Sequence, residues 1–93
     1  MDIQQKDDGK KGHFKASENG IEAGVITYTW AGSTKIIIEH TIVNAAFEGK
    51  GLGKKLVMAV VELAREKKVK IQPLCSYAQL VFERDSKLSD VLF

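Results

Sequence analysis

Phe47-Glu48-Gly49-Lys50-Gly51-Leu52-Gly53-Lys54-Lys55 follows an apolar run and leads directly into a helical pattern. Three glycines at alternate positions let a backbone approach a ligand closely and adopt dihedrals that a Cβ forbids. A helix opening here offers unpaired N–H groups and the positive end of its dipole. Lys50, Lys54 and Lys55 add fixed positive charge around the same point. The stretch reads as a phosphate-gripping turn, although a glycine-rich connection into a lysine-coated surface helix has the same composition. Its flanks decide between the two.

Upstream, Thr34 to Val43 is rich in β-branched residues and reads as a strand. Its consecutive Ile36, Ile37 and Ile38 suggest a central strand with both faces covered. Before it, Ile21 to Trp30 alternates as a strand does, and Ala31-Gly32-Ser33 makes a short turn. His13 to Ser17 sets Phe14 and Ala16 among polar neighbours, and Asn19-Gly20 closes a hairpin. The expected result is a three-stranded antiparallel meander. Residues 1–12 carry six charged side chains and little to bury, so they read as a disordered tail whose lysines can still steer anions. Residues 13–93 form the single domain.

Downstream, Leu52, Leu56, Ala59, Val60 and Leu63 recur at three- and four-residue intervals, which makes one apolar helix face. Lys67 and Lys68 suit its last turn. Val69 to Cys75 then reads as a short buried strand, reached through a crossover helix and so parallel to the strand ending at Val43. Pro73 cannot donate to a ladder and marks an edge, a bulge or a place where two strands part. Tyr77 to Phe82 forms a short helix, and Glu83 to Phe93 is a polar end whose Val91, Leu92 and Phe93 dock back. The fold class is α+β.

Composition narrows the function classes. At 93 residues, 44% hydrophobic and 28% charged, the chain is one domain with one modest core. One cysteine, Cys75, excludes an internal disulfide framework and a cysteine-cluster metal site. A net charge of +2 with interspersed signs does not argue for nucleic acid, and no aromatic stacking residues accompany Lys50, Lys54 and Lys55. No apolar run approaches the ~20 residues that span a bilayer, and the N-terminus lacks a signal-peptide core. A cytoplasmic protein is expected.

A P-loop requires Lys followed by Ser or Thr after its last glycine, whereas Gly53 is followed by Lys54-Lys55. A dinucleotide fingerprint places its third glycine three positions after the second, and here Gly49, Gly51 and Gly53 alternate. Glu48-Gly49-Lys50-Gly51-Leu52-Gly53 instead resembles the coenzyme A signature of the GNAT superfamily of acetyl-CoA-dependent N-acyltransferases, in which Gln or Arg stands where this chain has Glu48. His40-Thr41, Leu56-Val57, Ala64-Arg65 and Pro73-Leu74-Cys75-Ser76-Tyr77, in that order, are similar to the minimal single-domain members, from about Ala16 to Tyr77.

The resemblance implies a small GNAT-like fold and acetyl-CoA as cofactor. It implies that Gly49, Lys50, Gly51, Leu52, Gly53 and Lys54 hold the pyrophosphate with Lys55 beside them. It also implies that the pantetheine arm lies where Glu39 to Val43, with Thr41, Ile42 and Val43, splays from Val69 to Cys75, and that Tyr77 donates to the leaving thiolate unless it is an aromatic core residue. In the small family Cys75 and His40 correspond to a suspected functional pair. Either Cys75 attacks the thioester, activated by His40 or Glu39, or the amine attacks directly with His40 or Glu39 as base. Cys75 as a buried small hydrophobe and His40 as a structural hydrogen-bonder are the plainer readings. The implied acceptor is an unidentified amine, a small molecule or a protein lysine, and the chain is a monomer or weak dimer. A non-catalytic acyl-CoA-binding or sensing module is the alternative.

Glu48 has the wrong sign for a pyrophosphate neighbour. A unit charge pair about 6 Å apart is worth roughly 0.7 kcal/mol in water and about 3 kcal/mol at an effective dielectric of 20. Helix-end anion binding contributes about 0.3 to 2 kcal/mol. Glu48 is therefore expected to point away from the phosphates, with Lys50 or Lys54 compensating.

Overall fold

Period-two alternation in the first half and helical periodicity in the second build two layers, a sheet and the helices on one side of it. The computed structural model describes all 93 residues. Strands β1 (Asp2–Asp7), β2 (Lys11–Glu18), β3 (Ile21–Ala31) and β4 (Lys35–Val43) are followed by a 3-10 turn at Ala45–Phe47, then helix α1 (Leu52–Lys67). Strand β5 (Lys70–Pro73), helix α2 (Ser76–Arg84) and a 3-10 segment at Ser86–Val91 complete the chain. The sheet order is β1-β2-β3-β4-β5. β1 to β4 pair antiparallel, and β4 pairs parallel with β5 through the α1 crossover.

The meander, the crossover helix and the parallel strand stand as the sequence implies, with one strand more. Residues read as a disordered tail form β1 and begin β2, registered from Asp2↔Ser17 to Asp7↔Gly12. β1 is exposed throughout, so apolar burial does not hold it. A polar knot does. The Asp7 carboxylate accepts from Tyr28 Oη at 2.7 Å, from Trp30 Nε1 at 2.9 Å and from the Gly9 N–H at 2.7 Å. Gln5 Nε2 donates to the same Tyr28 oxygen at 2.8 Å. Gly12 must lack a side chain, because a Cβ there would lie 2.4 Å from the Tyr28 ring. Hydrophobic composition carries no trace of such ties.

The core is a single cluster on the helix side. Leu56, Val57, Val60 and Val61 of α1 pack with Ile26, Tyr28, Ile36 and Ile38, and α2 adds Ala78, Val81 and Phe82. The polar-looking end contributes Leu88 and Val91, while the Phe93 N–H donates to Ile71 O at 2.8 Å. The expectation that both faces of β4 are covered is not met. Ile36 and Ile38 are fully buried, but Ile37, on the opposite face, is only half-buried. β4 is internal because β3 and β5 flank it, and no layer covers its second face.

Two irregularities position the site. Thr27 pairs with His40 and Tyr28 with Ile38, which leaves Glu39 as the extra residue of a β-bulge. The β4–β5 ladder ends at Ile38↔Pro73, with the Leu74 N–H donating to Ile38 O at 2.9 Å. Beyond that point the strands part.

Burial pushes the Asp7 carboxyl up, but hydrogen bonds from Tyr28, Gly9 and Trp30, with the charge of Lys67, outweigh it and hold its pKa below 3.8. Burial and the Asp7 carboxylate push the Tyr28 hydroxyl up to about 12, so it remains a donor at neutral pH. A carboxyl depressed on folding contributes stability above its unfolded pKa and loses it as pH falls through the folded value. Asp7→Asn should therefore cost about 1–2 kcal/mol near pH 7 and flatten the loss of stability below about pH 4. Denaturant unfolding across pH checks this; equal acid sensitivity in both proteins would contradict it.

Candidate functional site

The site is assembled from β4, the turn after it and the start of α2. Asn44 opens the turn, its Oδ1 accepting the Ala46 N–H at 3.0 Å, and Phe47 is buried beneath. The chain then uses left-handed backbone at Gly49 (φ 79°) and Gly51 (φ 73°), where a Cβ would meet no atom within 4 Å. These two glycines serve conformation. Gly51 caps α1 without a side chain, so the first N–H groups of the helix lack a capping oxygen, and the first helical bond runs from the Lys55 N–H to Gly51 O. Gly53 serves space instead. A Cβ on it would lie 2.8 Å from both the Tyr77 ring and its hydroxyl, so Tyr77 lies directly against the first turn of α1.

A cavity of about 320 Å³ results, lined by Thr41, Val43, Phe47, Glu48, Gly49, Gly51, Leu52, Gly53 and Tyr77. A neighbouring hollow of about 230 Å³ shares Tyr77 and is lined by Lys54 and Arg84. Thr41, Val43, Gly49, Gly51, Leu52, Gly53 and Tyr77 thus converge, with Lys54 beside them. Lys50 and Lys55 are exposed and outside that lining, and Lys50 Nζ sits 5.5 Å from the Phe47 ring centroid. Ile42 does not converge: neighbours on a strand face opposite ways, and it is 60% exposed on the other face. Glu48 is exposed but not clear of the cavity, and no cation pairs with it.

Cys75 caps α2, accepting the Ala78 N–H at Sγ over 3.3 Å, and its sulfur lies 3.4 Å from Thr41 Oγ1. This contact spans the gap between the parted strands. The expected pairing of Cys75 with His40 or Glu39 is absent. With Thr41 turned toward Cys75, His40 lies on the opposite face, exposed and paired in register with Thr27. Glu39 Oε1 accepts from Thr29 Oγ1 at 2.7 Å. Sequence reasoning missed Arg84, whose place beside Lys54 depends on how α2 packs, and Phe47, whose burial gives the turn its floor.

A five-stranded sheet of this order, parted beyond Ile38↔Pro73 beside a glycine-capped helix, matches the GNAT fold. A family model described as GCN5-related N-acetyl-transferase matches residues 13–91, and the chain belongs to that family. Among its relatives, Protein NATD1 of Xenopus tropicalis is 31% identical over 78 residues, 83% of this chain and 72% of that protein. The solution structure of a GCN5-like protein from Staphylococcus aureus aligns with a TM-score of 0.71 at 37% identity, over 97% of this chain and 87% of that one. AAC(6')-Iy, solved with a bisubstrate analogue containing CoA, shares the fold with a TM-score of 0.64 at 18% identity, over 82% of this chain and 60% of its own.

The close approach of Tyr77 makes Gly53→Ala a sign test. Alanine gains up to about 1 kcal/mol of helix propensity, whereas overpacking against Tyr77 costs about 1–3 kcal/mol. The substitution should destabilise the parent chain and stabilise a Tyr77→Ala chain. Urea unfolding of the four proteins measures both signs; stabilisation in both backgrounds would contradict the packing.

Proposed function

We propose that this protein is an acetyl-CoA-dependent N-acetyltransferase acting on an amine. The observation that carries the reading is the uncapped start of α1 opening into a cavity that adjoins the parted ends of β4 and β5. Backbone N–H groups of the Gly49–Lys54 turn suit a pyrophosphate, and Lys54 with Arg84 suits further phosphate along the same ligand. Thr41, Val43 and Tyr77 wall the path of the pantetheine arm. Acetyl-CoA supplies an activated acetyl group: transfer forms the amide C–N bond, breaks the thioester C–S bond and leaves the surplus amine proton to be removed.

Glu39 is the base that the geometry favours. It stands at the bulge, just past the last β4–β5 pair, with Oε1 fixed by Thr29 and Oε2 without a protein donor. Cys75 is partly buried and engaged as a helix cap, which supports direct transfer to the amine over an acetyl-cysteine step. The lone free thiol suits a reducing, cytoplasmic setting.

Turnover over a broad amine panel tests the assignment. Glu39→Gln should lower kcat at least about 100-fold while leaving acetyl-CoA affinity within a factor of two. Cys75→Ala should keep turnover within about tenfold and cost roughly 1 kcal/mol of stability as a lost cap. An acetylated Cys75 in intact-mass spectra, together with a dead Cys75→Ala protein, would overturn direct transfer. Tight acetyl-CoA binding with no amine acetylated would favour a binding module.

A further inference from the structure

The sheet face away from the helices carries a groove of about 740 Å³. Lys6, His13 and Thr27 stand opposite one another on β1, β2 and β3, and the row reaches β4 at its bulge. Glu39 lines this groove and is also the first residue beyond the β4–β5 ladder. The groove therefore runs from the β1 edge of the sheet to the place where the strands part.

Lys6 and Lys11 stand at the β1 end beside two carboxylates, and Glu39 stands alone at the other. Asp7 is taken by Tyr28 and Trp30, and Asp8 by the N–H groups of Lys10 and Lys11. Lys6 and Lys11 also line the groove and have no ion-pair partner. Glu39 has one carboxylate oxygen without a protein donor. Between these ends Thr27 Oγ1 is buried with no hydrogen-bond partner, which is costly unless an occupant supplies one.

We infer that this groove is the acceptor site and that the acceptor is a small zwitterion, with its primary amine at Glu39 and a carboxylate several bonds away at Lys6 and Lys11. The inference rests on the acetyltransferase reading and gives it a substrate class. From β4, Lys11 is two strands away and Lys6 three, so the backbones carrying the opposite charges lie roughly 10–14 Å apart. Side chains reaching inward from both ends shorten that gap to the length of a flexible spacer. An α-amino acid, whose charges are separated by one carbon, does not bridge it.

The test compares 6-aminohexanoate, glycine and hexylamine as acceptors, following release of the CoA thiol. The expected result is a kcat/KM for 6-aminohexanoate at least tenfold above either of the others, expressed mainly in KM. Lys6→Gln with Lys11→Gln should collapse the preference over hexylamine to less than threefold. Hexylamine or glycine serving equally well, or a preference that survives in the double variant, overturns the inference. A chain that binds acetyl-CoA by calorimetry but acetylates none of the three also overturns it, leaving the coenzyme reading in place. A chain that does not bind acetyl-CoA removes both.

Discussion

The parallel ladder between β4 and β5 stops at Ile38↔Pro73, and the candidate coenzyme cavity adjoins the place where it stops. Lys70 and Leu74 direct their N–H groups to β4, so the Pro73 nitrogen lies on the outer edge, where no donor to β4 is lost, and the Leu74 N–H makes the last bond across to Ile38. Past that point the backbone groups of β4 and the following segment diverge. The gap is held open by Cys75, whose cap on α2 and contact with Thr41 fix α2 against β4. Tyr77, one residue into α2, then falls against Gly53 and walls the start of α1. A single helix cap at the end of the ladder thus helps to set the shape of the cavity.

Two glycine requirements meet in the same turn. Gly49 and Gly51 supply left-handed backbone, so the chain reverses and α1 begins without a capping side chain. Gly53 yields its side-chain space to Tyr77. At the β1 edge of the helix-side face a different economy holds. The polar knot of Asp7, Tyr28, Trp30 and Gln5 fastens β1 without apolar burial. The second sheet face stays uncovered, with Glu39 at its inner end.

Much of this was legible in the residues, and what was not has physical causes. The turn, the amphipathic face from Leu52 to Leu63 and the strand interruption at Pro73 rest on local periodicity and backbone chemistry, and they read directly. β1 was invisible because its ties are side-chain hydrogen bonds to residues more than twenty positions away. His40 and Cys75 read as a pair through the family resemblance, but a strand's alternation sends His40 to one face and Thr41 to Cys75. The Glu39 bulge has no local signature, and Arg84 meets Lys54 only through helix packing. Glu48 is still the residue whose charge opposes the assignment, exposed at the lining of the cavity.

The central claim is that the turn from Gly49 to Lys54 grips the coenzyme pyrophosphate. Backbone amide NMR during titration with CoA, and separately with pantetheine, tests it most directly. The account predicts that CoA shifts the amides of Gly49 to Lys54 and Tyr77 together, whereas pantetheine perturbs only residues near Thr41 and Cys75. CoA at millimolar concentration leaving the Gly49–Lys54 amides unmoved would contradict it.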